Sequence, residues 1–205
     1  IKDQVKQIKK IGINKSKFIF WGWTKLKLSK QDLNKRSKIL TRMLKYVTYQ
    51  FKKNNIIYWV DFSGLLALMR KQDLAEMSDV DISVYHKDLK KILKILKKNS
   101  TYFKFYSKPI FNKYKVLNYR FHIIGNINNK KIEPPGIGLH VNKINRKFLE
   151  KNTMIKKTPY NLLKSTKKHS YKGLDLTIPE KSEKYLNIIY GKNWKKKTEF
   201  YSIKN

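Results

Sequence analysis

Two aspartates, Asp79 and Asp81, stand two positions apart in the segment SDVDISVY. Polar and apolar residues alternate over 78–85, which predicts a half-buried strand on which residues two apart share a face. Both carboxylates should therefore point the same way, and hard oxygen ligands suit Mg²⁺ or Mn²⁺. Phosphoryl and nucleotidyl transfer use such a cation to neutralise oxygens on the leaving diphosphate.

A turn of two small residues, Ser63 and Gly64, lies upstream of this aspartate pair. It follows the apolar run 56–62, which is typical of a buried strand, and leads into LLALMR, whose composition favours a helix. Backbone N–H groups at a helix N-terminus bind phosphate, so we expect the turn to contact phosphate near the aspartates. This order of elements suits a nucleotidyl-transfer site.

The rest of the sequence predicts the elements that position these residues. Residues 29–55 have an amphipathic pattern with Ser29 as N-cap, and residues 86–100 have a lysine-faced one, so both are predicted helices. Further strands are predicted in the β-rich stretches YFKFYS, YKVLNYRFHIIG and IGLHVNKI. The prediction is a mixed α/β domain with a central sheet flanked by helices.

The C-terminal part of the sequence is less regular. Residues 148–177 are rich in Lys, Ser and Thr, and we interpret them as loops with one helix near 160–165. After them, Pro179 is the predicted first residue of a closing helix that stops at Gly191.

Length and composition bound the domain count and the compartment. A chain of 205 residues fits one domain, with 1–30 as an N-terminal extension and 171–197 as a closing segment. The absence of cysteine excludes disulfides and thiolate metal sites. No apolar run reaches the roughly 20 residues of a membrane helix, so we expect a cytoplasmic protein.

Positive charge dominates the composition. Lysine and arginine number 48 against 14 acidic residues, which gives a formal net charge of +34. Such a charge attracts the phosphates of nucleotides, nucleic acids and anionic lipids alike. Only five of the basic residues are arginines, which argues against base-specific DNA recognition because that recognition relies on arginine forks.

Two segments resemble one protein family. VDFSGLLALMRKQDLAEMSDVDISV resembles the signature of the LicD/fukutin phosphotransferases, in which a Gly-Thr-Leu-Leu turn and an arginine precede aspartates ending in Asp-x-Asp. YKGLDLTIPEKSEKYLNIIYGKNW is similar to the closing segment of that family, a proline-led helix that runs into Tyr-Gly and a tryptophan. Together the two segments cover about a quarter of the chain, in the expected order.

The resemblance implies a nucleotidyltransferase fold and a reaction. A phospho-substituent, such as phosphocholine or an alditol phosphate, would pass from a CDP-linked donor to the hydroxyl of a glycan or lipid-linked glycan. Asp79 and Asp81 would ligate Mg²⁺ or Mn²⁺, and Arg70 would lie beside the donor phosphates. Ser63 and Gly64 would form the phosphate-contacting turn. The basic exterior would assist peripheral docking on an anionic membrane leaflet.

The sequence departs from the family pattern at several positions. The turn reads Ser-Gly where the family has Gly-Thr, and Met77 and Ser78 stand where further aspartates are usual. The third carboxylate that the family carries on a later strand is replaced by Asn142, a possible metal ligand through its carbonyl. Asp61, just before the turn, is expected to cap it.

An asparagine cannot accept a proton as a general base. Another group must then serve, and the alternatives are His140, which we take as the catalytic candidate, His122 and Glu133. Three other functions stay open: a lysine-rich nucleic-acid-binding protein, a nucleotidyltransferase that modifies RNA or protein, and an inactive relative of the family.

Overall fold

The structure is a computed structural model, and it describes residues 29–77, 79–96, 103–112, 115–125, 135–145, 148–151 and 158–196. The predicted N-terminal extension therefore lies almost wholly outside the described residues. None of the described helices is long and apolar enough to cross a membrane.

Four described α-helices flank the sheet: α1 (Lys30–Lys53), α2 (Phe62–Met69), α3 (Leu89–Leu96) and α4 (Ser182–Tyr190). The predicted cap of the first helix is confirmed, because the Ser29 side chain accepts a hydrogen bond from the Asp32 backbone N–H. Most of the apolar stripe of α1 is buried, and Met43, Val47 and Phe51 are completely so. Helix α1 therefore packs along the core as its periodicity predicts.

The described strands are β1 (Tyr58–Asp61), β2 (Asp79–Tyr85), β3 (Phe103–Asn112), β4 (Lys115–Gly125), β5 (Gly136–Asn145), β6 (Phe148–Lys151), β7 (Thr158–Pro159), β8 (Thr166–Tyr171) and β9 (Leu174–Pro179). The main sheet has the order β1-β2-β5-β4-β3, and β6 pairs with both β5 and β7. Among the described pairs, β2 and β5 run parallel and the others run antiparallel. The predicted fold class, a mixed sheet flanked by helices, is confirmed.

Strand β2 is the centre of the structure. The prediction of a half-buried strand is wrong, since every residue from Val80 to Tyr85 is buried. Pairing with β1 and β5 places β2 inside the sheet, and side chains of α2 and β5, such as Ser63 and His140, cover Asp81 on its polar face. The predicted alternation of faces does not depend on burial, and it places Asp79 and Asp81 together on one face.

The loop interpretation of 148–177 is wrong. This range contains β6, β7 and most of the hairpin formed by β8 and β9. The hairpin turn has positive φ at both central residues, Lys172 (47°) and Gly173 (75°), as a two-residue turn matching the strand twist requires. Most residues of β8 are exposed and polar. The sequence of this strand therefore lacks the apolar alternation from which a strand is predicted.

The closing helix begins later than predicted. Pro179 ends β9, and α4 starts at Ser182, whose hydroxyl donates to the Pro179 carbonyl. The predicted stop is confirmed, because Gly191 is the C-cap with φ 83°. A positive φ of this size favours glycine, which carries no Cβ.

Candidate functional site

The aspartate pair lies where three strands meet. Asp81 stands opposite Asp61 of β1 in the antiparallel pairing and opposite Gly138 of β5 in the parallel pairing. Asp79, at the start of β2, stands opposite Gly136. Asp81 is 2% exposed, whereas Asp79 is partly exposed. The pair therefore runs from the surface into the sheet.

Helix α2 begins directly after β1, one residue earlier than the predicted turn. The Asp61 carboxylate caps this helix by accepting the Phe62 backbone N–H at 2.8 Å, which confirms the expected capping role. Phe62 has a φ of 41°, an unusual value for a residue with a side chain. Ser63 and Gly64 thus lie in the first turn of the helix, and not in a turn before it.

Ser63 connects this helix terminus to the aspartate pair. Its Oγ donates to Asp81 Oδ2 at 2.9 Å, and the side chain is almost completely buried. The structure therefore brings the predicted phosphate-contacting serine into direct contact with the predicted cation ligand.

Gly64 permits the close approach of α2 to the sheet. A Cβ at this position would lie 2.8 Å from Val60 Cγ1 and 3.0 Å from Val80 Cγ1. Distances this short do not occur between carbon atoms in packed proteins without a shift of the neighbours. Glycine is therefore required for packing here, in addition to any contact with a ligand.

His140 lies beside the buried aspartate. Its Nε2 is 2.7 Å from Asp81 Oδ1, and its side chain is 12% exposed. The imidazole ring also packs against the Phe62 ring, with centroids 4.9 Å apart. Asp81 is thus held on both oxygens, by Ser63 on Oδ2 and by His140 on Oδ1.

Gly138 opens a space between these groups, and it is not among the site residues predicted from the sequence. A Cβ at this position would lie 3.2 Å from Asp81 Oδ1, 3.4 Å from Asp79 Oδ2 and 3.8 Å from His140 Nε2. Three polar atoms therefore lie within 3.8 Å of the position that a Cβ at residue 138 would occupy. The glycine is visible in the sequence, but its position opposite Asp81 depends on the register of β2 with β5.

Asn142 is not brought together with the aspartate pair. It stands opposite Tyr85, whereas Asp81 stands opposite Gly138, and four residues of strand correspond to about 13 Å. Its Nδ2 donates to the carbonyls of Val84 and His140. One ion with ligands at about 2.1 Å could not be shared over this span, so the register corrects the expectation for Asn142.

Arg70 lies at the other end of α2 from Ser63, about 10 Å along the helix axis. It is the C-cap residue of that helix, and its Nη2 donates to the Lys196 carbonyl at 2.8 Å. The structure thus ties Arg70 to the closing segment. Its contact with donor phosphates stays a prediction.

The closing helix reaches the site through two tyrosines. The Tyr185 hydroxyl donates to Asp61 Oδ1 at 2.5 Å. Burial is the main cause that raises the pKa of Tyr185, and the adjacent Asp61 raises it further. The pKa of Tyr190 is raised by burial first, and then by the charges of Asp81 and Asp61. Both hydroxyls therefore remain protonated, and both lie within electrostatic reach of the two aspartates. Neither tyrosine is among the site residues that the sequence predicts.

The residues present fit a magnesium-like cation. Across the described ranges, no group of three or more His, Cys, Asp or Glu side chains is arranged to hold a metal ion. Mg²⁺ usually binds through one or two carboxylates, keeps several waters and takes its remaining ligands from substrate phosphates. Asp79 and Asp81 beside the Gly138 opening are compatible with that mode.

Two other residues were candidates for the general base. His122 pairs in register with Gly138, and Glu133 lies outside the described residues.

Comparison with known proteins finds similar solved structures and no family. The sequence matches no protein-family model and no curated protein. The lincomycin-bound crystal structure of the lincosamide antibiotic adenylyltransferase LnuA is similar at 15% identity and TM-score 0.44, covering 73% of this chain and 83% of that one. A putative nucleotidyltransferase from Thermotoga maritima is similar at 16% identity and TM-score 0.42, covering 72% and 83%. Neither likeness assigns this chain to a family.

Proposed function

We propose that this protein is a metal-dependent transferase of the nucleotidyltransferase type. The observation that carries the proposal is the convergence of Asp79 Oδ2 and Asp81 Oδ1 on the opening above Gly138. Mg²⁺ or Mn²⁺ held there would neutralise negative charge on the phosphates of an activated donor. The N-terminus of α2, next to Ser63, would offer backbone N–H groups to the same phosphates.

The donor is a CDP-linked compound that carries phosphocholine or an alditol phosphate. This assignment is supported by the resemblance of two sequence segments to the LicD/fukutin family. In the reaction, an acceptor hydroxyl oxygen forms a bond to the donor phosphorus that carries the head group. The bond from that phosphorus to the bridging oxygen breaks, CMP leaves, and the proton of the hydroxyl passes to a base.

His140 is the residue proposed to take that proton. Its Nε2–H would donate to Asp81, so Nδ1 would take the proton, and the ring is partly exposed beside the aspartate pair. Ser63 would orient Asp81 through its hydroxyl, and Arg70 would hold a donor phosphate. A positioned histidine contributes about 10²- to 10⁴-fold to such a proton transfer.

The acceptor is a glycan or lipid-linked glycan of the cell surface, and the protein works in the cytoplasm at the inner membrane face. This part of the proposal is supported by charge. The exposed side of α3 carries Lys90, Lys91 and Lys94, and the net charge of the chain is +34. Juxtaposed lysines attract an anionic leaflet by about 1 kcal/mol each near the surface.

The test is a thermal-shift screen of the full chain against CDP-choline, CDP-ribitol, CDP-glycerol, CTP, ATP and RNA, each with and without Mg²⁺ or Mn²⁺. We expect a CDP-linked compound to stabilise the wild type only when the cation is present. Asp79→Asn should abolish this stabilisation. Asp175→Asn, which removes an exposed carboxylate from the hairpin, should not.

Other results would point to the other functions. Stabilisation by ATP or CTP, followed by transfer of labelled nucleotide to RNA or protein, would replace the CDP-linked donor. Salt-dependent RNA binding that survives Asp79→Asn, without any nucleotide effect, would favour a nucleic-acid-binding protein. Cation and donor binding without turnover would identify an inactive enzyme.

A further inference from the structure

Arg36 is a completely buried charged residue of α1. Leu40, Met43 and Val47 follow it at spacings of three and four residues, so Arg36 occupies a position of the apolar stripe. An apolar side chain would fill such a position without the cost of removing a charge from water. Because a guanidinium stays ionised in proteins, its burial has to be compensated by hydrogen bonds. The contacts of Arg36 should therefore explain its presence in the stripe.

The guanidinium donates to two backbone carbonyls of one short segment. Its Nε donates to the Ala75 carbonyl at 2.9 Å, and its Nη2 donates to the Met77 carbonyl at 2.8 Å. Ala75 belongs to a 3₁₀ turn, Leu74–Glu76, and Met77 is the C-cap of that turn. Two donors on one rigid plane fix both the position and the orientation of the groups that accept from them. Arg36 thus attaches residues 75–77 to α1.

This segment leads to the outer aspartate of the proposed cation site. Met77 precedes Asp79 by two residues, so their Cα atoms are at most about 7 Å apart. Strand β1 ends at Asp61 opposite Asp81, so Asp79 extends two residues beyond the pairing of β2 with β1. On the other side, Asp79 pairs with Gly136 of β5. The backbone that precedes Asp79 therefore contributes to the position of its carboxylate.

A second set of contacts holds the beginning of the same segment. Asp73 caps the 3₁₀ turn by accepting the Ala75 backbone N–H at 2.9 Å. Lys172 Nζ donates to Asp73 Oδ2 and to Ser37 Oγ, and Ser37 follows Arg36 on α1. Neighbouring residues of α1 are thus engaged at both ends of residues 73–77. These contacts restrict the movement of the chain that enters β2.

We propose that Arg36 is a positioning residue that orients Asp79 for cation binding. The inference rests on the proposed function, because it assumes that Asp79 and Asp81 bind the ion. Groups that orient a metal ligand contribute about 10- to 100-fold to metal affinity. The positive charge of Arg36 by itself repels a cation, so the two effects have opposite signs. Loss of Arg36 should therefore weaken cation binding through lost positioning, whereas charge alone would strengthen it.

The test compares Mn²⁺ affinities of full-length variants by electron paramagnetic resonance titration, with circular dichroism used to correct for the folded fraction. Arg36→Met removes the donors and the charge and leaves an apolar side chain in the stripe. Leu44→Ala is the matched control, because it leaves a cavity in the same stripe about 12 Å farther along the helix. We expect Arg36→Met to raise the Kd for Mn²⁺ about tenfold or more, and Leu44→Ala to change it less than about threefold.

Two results would overturn the inference. One is an Arg36→Met variant whose Kd for Mn²⁺ is within about threefold of the wild-type value, or lower. The other is a loss of affinity in Leu44→Ala as large as that in Arg36→Met, since general loosening of the core would then explain both. If Arg36→Met does not fold, Arg36→Lys decides. Its ammonium keeps the charge but cannot reproduce the planar pair of donors, so we expect a rise in Kd of at least about threefold, and an unchanged Kd overturns the inference.

Asp79→Asn separates this inference from the proposed function. If the wild type binds no Mn²⁺, or if Asp79→Asn binds it equally well, the proposed cation site itself is wrong. If Asp79→Asn abolishes binding while Arg36→Met leaves it intact, the cation site stands and only the role of Arg36 fails.

Discussion

The imidazole Nε2 of His140 and the carboxylate Oδ1 of Asp81 are 2.7 Å apart, although the two residues are far apart in sequence. This contact joins β5 to β2 at the point where the strands run parallel. Together with the Ser63 hydroxyl on Oδ2, it fixes the orientation of the Asp81 carboxylate. A ligand carboxylate that is already oriented loses less freedom when it binds a cation.

Replacing His140 should therefore weaken cation binding. We expect His140→Ala to lower Mn²⁺ affinity about 10- to 100-fold, the usual cost of losing a hydrogen bond to a metal ligand. His140→Gln, whose amide can still donate to Asp81, should bind Mn²⁺ nearly as the wild type does. His86→Ala, at an exposed histidine, is the control.

The glutamine variant also separates positioning from proton transfer. If His140 accepts the proton of the acceptor hydroxyl, His140→Gln should lower the rate of transfer at least about 100-fold while Mn²⁺ affinity is retained. Equal rates for wild type and His140→Gln would show that another group is the base. Equal Mn²⁺ affinities for wild type and His140→Ala would show that the contact does not orient a ligand.

Gly138→Ala should fill the opening and leave the fold intact. Its Cβ would lie 3.2 Å from Asp81 Oδ1 and 3.4 Å from Asp79 Oδ2, in the space that a cation or its waters need. We expect Mn²⁺ affinity to fall at least about tenfold, whereas the entropic gain of alanine in a strand, up to about 1 kcal/mol, should be offset by the displacement of Asp81, which Ser63 and His140 hold.

Gly173→Ala is the matched control for this substitution. A Cβ at Gly173 meets nothing within 4 Å, but φ there is 75°. The variant should lose about 1 kcal/mol of stability to backbone strain and bind Mn²⁺ normally. A Gly138→Ala protein that binds Mn²⁺ as tightly as Gly173→Ala does would show that the ion lies elsewhere.

Local sequence signals were sufficient for some of these features. The shared face of Asp79 and Asp81 follows from the two-residue period of a strand, and the cap at Ser29 and the stop at Gly191 follow from side-chain type. The cap at Asp61 is also local, since a carboxylate before a helix accepts the first free N–H. None of these features requires knowledge of a distant partner.

The remaining features depend on strand register, which sequence periodicity does not specify. Gly138 and His140 lie near Asp81 because β5 pairs in parallel with β2 at one particular offset, and the same offset sets Asn142 apart. Asp61 likewise accepts hydrogen bonds from Ser83 of β2 and from Tyr185 of the closing helix. Such contacts join residues distant in sequence, and one sequence without aligned relatives gives no measure of them.

Gly64→Ala should destabilise the protein through overpacking. Its Cβ would lie 2.8 Å from Val60 Cγ1 and 3.0 Å from Val80 Cγ1, and both valines are fully buried. We expect a loss of about 1–3 kcal/mol in the free energy of unfolding, measured by urea denaturation. Adding Val60→Ala should restore part of that loss, because it removes the methyl group that clashes. If the change in the free energy of unfolding of the double variant equals the sum of the changes in the two single variants, close packing of α2 is not the cause of the destabilisation by Gly64→Ala.

Asp73 provides a pH-dependent contribution to stability away from the site. It caps the 3₁₀ turn Leu74–Glu76, and it accepts hydrogen bonds from Lys172 Nζ at 2.5 Å and the Tyr171 hydroxyl at 2.6 Å. Burial alone would raise the pKa of Asp73, but the hydrogen bonds from Lys172, Tyr171 and Ala75 and the charge of Lys172 together lower it.

A carboxyl group with a lowered folded-state pKa stabilises the protein above its unfolded pKa of about 3.9, and this contribution is lost as pH falls through the folded pKa. We therefore expect the Tm of the wild type to fall more steeply than that of Asp73→Asn below about pH 5. At pH 7, Asp73→Asn should be less stable by about 1 kcal/mol, or about 3 °C in Tm, a value kept small because the pair is partly exposed. Lys172→Met should flatten the same part of the profile, since it removes the main partner of the carboxylate. Parallel Tm profiles for the wild type and both variants would contradict this role of Asp73.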